Sequence, residues 1–194
     1  MTRWLAVALS LLIAGPAFAG PFGFQPGLTR AQVEAKVGKI EETDNPRVYR
    51  TKKAPTPLRG MEGYALLISK QYGLCKVMGI GRDVETSVYG TELESAYGEL
   101  KQALIKKYGA PSTSAEYLKS GSIWREPKDF MMGLKLQERQ LWTAWTVLTD
   151  PEVDAISLEA KAIDANTGYL NLSYEFTNFT ECVAEKEKVD SDAL

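Results

Sequence analysis

Two cysteines, Cys75 and Cys182, stand 107 residues apart in a chain of 194 residues that contains no histidine. Few features restrict a fold more. If the two sulfurs join, a segment near the C-terminus must lie against the middle of the first half. The alternatives fall away on chemical grounds. A zinc site needs further nitrogen or sulfur ligands, and without histidine they are missing. A thiolate nucleophile needs a base, most often histidine. The C-x-x-C spacing of redox enzymes is absent. The pair therefore reads as a structural disulfide, provided that the chain reaches an oxidising compartment.

The N-terminus predicts that it does. Arg3 supplies a short positive region, Leu5 to Ala14 an apolar stretch interrupted only by Ser10, and Ala17-Phe18-Ala19 a small-x-small site. This is the layout of a secretory signal peptide cleaved after Ala19. The apolar stretch is shorter than the roughly 20 residues that a membrane span requires. No cysteine stands at the cut to take a lipid. We expect residues 20–194 to form an exported, periplasmic protein with neither membrane span nor lipid anchor. Arg3 leaves with the signal, so 22 basic residues face 25 acidic ones. That balance excludes a general nucleic-acid binder, which would carry a basic excess.

Residues 20–194 suffice for one domain. LTRAQVEAKVG predicts a helix with Thr29 as N-cap, Gln32 completing a capping box, Leu28 and Val33 as a hydrophobic staple, and Gly38 as the stop. Arg47 to Lys52, Glu62 to Ser69 and Tyr72 to Arg82 read as strands, the last two joined by a turn at Gln71 to Gly73. TELESAYGELKQALIKKYG predicts a helix of about 18 residues with Leu93, Tyr97, Leu100, Leu104 and Tyr108 on one face. Thr91 and Glu94 are its expected capping box, and Gly109 and Pro111 its stop. Ser122 to Glu126 is a short candidate strand, and residues 127–138 allow a short helix. Arg139 to Leu148, Ala155 to Ile163 and Tyr169 to Thr177 are further strands, the last two with clean apolar alternation. A last helix carries Cys182. This order predicts an α+β fold, antiparallel sheet with helices on one face. The sub-halves 20–89 and 90–178 each run helix then meander, and an acidic segment, 179–194, follows.

At Gly27-Leu28-Thr29-Arg30-Ala31-Gln32-Val33, closing at Gly38, the chain resembles the G-M-T-x-x-Q-V…G opening of the short outer-membrane assembly lipoproteins and of the tandem beta-lactamase inhibitor proteins. Leu28 stands where methionine is usual. The resemblance implies helices packed on antiparallel sheet and used for binding another protein. The second helix opening, Gly90-Thr91-Glu92-Leu93-Glu94, lacks the Gln-Val pair. No functional residue carries over.

Motif chemistry is sparse. Histidine-dependent triads, S-x-x-K and G-x-S-x-G are all absent. Gly79-Ile80-Gly81 lacks the third glycine and the following helix of a dinucleotide fingerprint. Asp150 to Asp154 lacks the glycine and glutamate of a calcium loop. No cofactor is implied. Two groups of residues are candidates for partner binding. Arg47, Arg50, Lys52, Lys53 and Arg59 form a stretch free of acids, suited to an acidic surface or simply to solvent. Trp124, Phe130, Met131 and Met132, with Trp142 and Trp145 beyond, would anchor an interface if exposed and build a second core if buried. The expected function is that of a binding or accessory protein of the inhibitor, immunity or envelope-assembly type, with another envelope protein as partner. The alternatives are a carboxylate hydrolase and a carrier of a small apolar ligand beneath the Trp/Met region.

Overall fold

The computed structural model describes residues 20–192, and side chains as far as Glu185; the expected signal peptide, residues 1–19, lies outside the described residues. The first half runs α1 (Arg30–Val37), β1 (Glu41–Glu42), β2 (Val48–Thr51), β3 (Met61–Ser69), β4 (Gly73–Gly81) and β5 (Val84–Glu85). The second runs α2 (Thr91–Tyr108), β6 (Thr113–Leu118), α3 (Phe130–Lys135), β7 (Arg139–Thr146), β8 (Val153–Ala162) and β9 (Thr167–Phe176), and α4 (Phe179–Asp192) ends the chain. All strands form one antiparallel sheet in the order β1-β2-β3-β4-β9-β8-β7-β6, with β5 pairing on β9. The last long strand of each half meets at the centre, where Val77 faces Tyr174 and Gly79 faces Leu172. The α+β reading holds.

Helix α1 forms as its sequence dictates. Thr29 and Gln32 exchange the two bonds of a capping box, Val33 is fully buried, and Gly38 ends the helix with φ 86°. Helix α2 departs from expectation at its start. The cap is Gly90, at φ 74°, and Thr91 makes no capping bond. Instead the Thr86 hydroxyl accepts from the Glu92 N–H at 3.3 Å and donates to the Glu92 carboxylate. The reason is the tight turn beneath. A Cβ at Gly90 would stand 2.2 Å from the Phe130 ring. The chain therefore needs glycine there, and the cap is supplied from upstream.

Alternation sends one face of the sheet inward. Tyr64 and Leu66 of β3, Ile156 and Leu158 of β8, Leu172 and Tyr174 of β9 and Trp145 of β7 pack under α1, α2 and α3, all in one core. Phe22 stands edge-on against Tyr64 and Tyr174, at 5.1 and 5.4 Å between ring centres. Gly79 makes room for it, because a Cβ there would lie 2.8 Å from Phe22. Gly79 and Gly81 are thus strand glycines.

Two strand expectations change. Ser122 to Glu126 is a turn, in which the Ser122 hydroxyl accepts from the Trp124 N–H and the Ser122 carbonyl accepts from Arg125. The pairing strand is β6, Thr113–Leu118, two of whose three inward residues are polar: Ser114 bonds to Thr143 and Glu116 to Lys101. With no apolar alternation, it left no strand signal.

Cys75 and Cys182 are bridged, joining β4 to α4. Cys75 sits at a register shift between Leu67 and Ile68 on the neighbouring strand. Around the bridge, the Asn178 amide donates to the Tyr72 and Leu74 carbonyls, and Arg47 pairs with Glu185 at 3.0 Å. The Ser69 hydroxyl, the Gln71 backbone and Arg47 hold the Glu185 carboxyl below its ordinary value. A depressed folded-state value means that this docking is complete above the ordinary glutamate range, near about 4.3, and is lost as pH falls through the folded value. Amide protection in α4, taken relative to the intrinsic exchange rate at each pH, is therefore expected to fall on acidification in the wild type and to stay level in Glu185→Gln. The disulfide is the sign of an oxidising compartment. Among the described residues no helix is long and apolar enough to cross a membrane.

Candidate functional site

Helices α1, α2 and α3 pack on the inward face and α4 docks at one end of β4, so that among the described residues most of the opposite face of the sheet has no covering layer. The register fixes who lies there. Ala65 pairs with Met78, Met78 with Ser173, Ser173 with Ser157 and Ser157 with Ala144, so one row of side chains crosses the sheet. A second row contains Leu67, Lys76, Glu175 and Ala155, and a third Ile80, Asn171, Glu159 and Trp142. The charges in these rows are largely paired with each other. Lys76 bonds Glu175 at 2.8 Å, and Lys161 bonds Glu159. Phe179, at the start of α4, closes one end with its ring 5.4 Å from the Lys76 ammonium. What remains is a broad surface of small and apolar side chains with little net field. Seven strand spacings of about 4.8 Å make it ~34 Å wide.

The basic stretch of the sequence does not stay together. Arg47 adopts φ 70° and turns to α4, where it bonds Glu185 and the Cys182 carbonyl. Arg50 lies at the edge of the open face, opposite Glu41. Arg50, Lys52 and Lys53 line a cleft of about 600 Å³ together with Glu41, Glu62 and Asp83, so acids from other segments interleave with them. Arg59 borders a different cleft. The aromatic group also divides. Phe130, Met131 and Trp145 are core residues, and Arg139 stacks on Phe130 at 5.0 Å. Trp124, beside α3, and Met132, on it, are half-buried, and Trp142 points to the open face, its indole N–H on Gln140. Phe130 and Met131 therefore hold α3 to the sheet and offer nothing to a partner.

The cleft beside Arg59 was not legible in the sequence. It measures about 580 Å³ and lies between α2 and the residues around Leu58 to Met61. Met61, Val84, Leu100 and Leu170 form apolar walls, and Arg59, Arg82 and Glu99 stand at its border. Its residues come from four separate segments, which is why no local pattern announces it.

One carboxylate is perturbed by its surroundings. Burial raises Glu94 above the ordinary glutamate range, with Arg139 opposing and Glu116 adding to the rise. Glu116 is paired with Lys101. Neither borders the clefts described above. Nearby, burial pushes the Tyr97 hydroxyl up to about 12 while it bonds Thr143. No group of three or more metal-ligating side chains occurs among the described residues.

No protein-family model matches this chain, and neither curated proteins nor solved structures provide a match.

Proposed function

We propose that this is a periplasmic binding protein, exported by cleavage after Ala19, that holds another envelope protein on the open face of its sheet. An inhibitor, an immunity protein and an assembly factor all work by such contact. The observation that carries the reading is the open face itself. Its charges are paired internally, and its centre, from Met78 through Ser173 and Ser157 to Ala144, is uncharged. Such a surface suits the largely uncharged core of an interface. At ~34 Å wide it has the dimensions of one side of a standard interface, about 800 Å². The chemistry favours a folded partner with a similarly uncharged, complementary surface.

The test is crosslinked affinity capture from periplasmic extract with the protein that begins at Gly20. We expect a defined partner with the wild type and with Lys106→Ala, which alters the helix side. Met78→Arg and Ser157→Arg place a cation in the centre and should lower recovery at least tenfold with unchanged circular dichroism. Equal recovery in all four proteins would refute the use of this face.

The apolar cleft supports a second reading, a carrier of a small apolar ligand, seated between α2 and Met61 instead of beneath the Trp/Met region. Its volume falls within the usual range for small ligands, roughly 300–1,000 Å³. Native mass spectrometry of protein purified from its own envelope would show a bound molecule that Ala103→Trp, at the cleft wall, excludes. Protein that carries no adduct would leave this reading without support.

A further inference from the structure

The two edges of the sheet are built differently. The β1 edge is two residues long and both are glutamates. Short length and charge are the usual protections of an edge against another strand. The β6 edge is longer, and its one charge, Glu116, is already paired with Lys101. It is six residues long, Thr113–Leu118, and contains no proline, no lysine and no register shift. Thr113, Ser114, Glu116 and Tyr117 are all exposed.

The pairing to β7 says which backbone groups are free. Lys119 N–H donates to the Glu138 carbonyl at 2.7 Å, and the register then pairs Tyr117 with Gln140, Ala115 with Trp142 and Thr113 with Ala144. Antiparallel ladders alternate, so these residues turn both backbone groups toward β7. The same alternation is seen across β7, where Val147 N–H donates to Asp154 on the other side. Ser114, Glu116 and Leu118 consequently point their N–H and C=O groups outward, and no backbone partner meets them among the described residues. Three donors and three acceptors stand in a row at the spacing of an extended chain.

We propose that the β6 edge receives an extended segment of another protein, which adds a strand to the sheet. Main-chain bonds to Ser114, Glu116 and Leu118 supply the docking, and side-chain alternation supplies the selectivity. On the open face the neighbour is Tyr117, 49 % exposed, which favours an apolar or aromatic residue opposite it. On the helix side Glu116, bonded to Lys101 through one carboxylate oxygen and 46 % exposed, has its other oxygen to offer a cation opposite it. β6 itself carries no basic residue, so a second copy of this strand does not provide that partner. The surface is separate from the centre of the open face, and each is tested without the other.

A displayed library of random 12-residue peptides, panned on the protein that begins at Gly20, is the probe. In the free protein the amides of Ser114, Glu116 and Leu118 should exchange faster than those of Ala115 and Tyr117. Selected peptides should slow those three outward amides at least tenfold, and be enriched in extended segments with alternating apolar and basic residues. Glu116→Pro removes one outward donor and none of the bonds to β7, a place where strands tolerate proline. It should weaken these peptides at least tenfold, whereas Met78→Arg should bind them as the wild type does. Binders that leave the three amides unprotected would overturn the proposal. So would binders that ignore Glu116→Pro, or a library that yields none. A dimer in the wild type that Glu116→Pro dissolves would assign the edge to a second copy and overturn it also.

Discussion

Replacing Cys75 and Cys182 by serine is expected to lower stability by up to about 4–5 kcal/mol, the chain-entropy value for a loop of this length. The bridge spans 107 residues, so most of the effect acts on the unfolded chain. A second effect is local. Without the bridge α4 is held by the Arg47–Glu185 pair, the Asn178 amide and the contact of Phe179 with Lys76. Partly exposed pairs of this kind contribute about 0–1 kcal/mol each. The serine variant should therefore lose protease resistance in α4 before the sheet unfolds. Urea titration and limited proteolysis measure the two effects separately. A loss below about 1 kcal/mol with α4 still protected would mean that the helix docks by packing and that the bridge adds little.

Trp145→Ala should be the most damaging single core change, at about 3–5 kcal/mol. Trp145 is 2 % exposed on β7, and its indole N–H donates to the Gly109 carbonyl at 3.0 Å. That carbonyl lies at the C-terminal end of α2, where helical backbone acceptors need an outside donor. The ring thus fills the core and ties the long helix to the sheet. Trp145→Phe keeps most of the packing and loses the bond, so it should fall between wild type and alanine. Equal stability of the phenylalanine and alanine variants in denaturant titration would place the whole effect in the hydrogen bond.

The sequence showed elements wherever local chemistry is self-sufficient. Thr29 with Gln32, the Leu93–Tyr97–Leu104 face and the alternation of Ile156, Leu158, Leu170 and Leu172 all read directly. Strand β6 did not, because two of the three residues it turns inward, Ser114 and Glu116, are polar and matched by polar partners from elsewhere. The cap of α2 did not, because Phe130, 40 positions away, forces glycine at 90. The open face was hidden for a related reason. Met78, Ile80 and Trp142 are apolar yet face outward, so β4 and β7 show no clean alternation of apolar and polar residues. Only the small residues Ala144, Ala155, Ser157 and Ser173 hinted at it, and they needed the strand order to be brought into one row. The basic stretch divides because a positive φ turns Arg47 toward α4 and Arg59 lies at a second cleft, while Arg50, Lys52 and Lys53 stay on one cleft.

A photo-crosslinking residue placed singly at each of two positions tests the central idea in the cell, before any extraction. One position is Met78, in the middle of the uncovered face, and the other is Lys106, on α2. Irradiation should join the Met78 position to one specific envelope protein and leave the Lys106 position unattached. The same adduct from both positions, or adducts from Lys106 alone, would contradict the assignment of binding to the sheet.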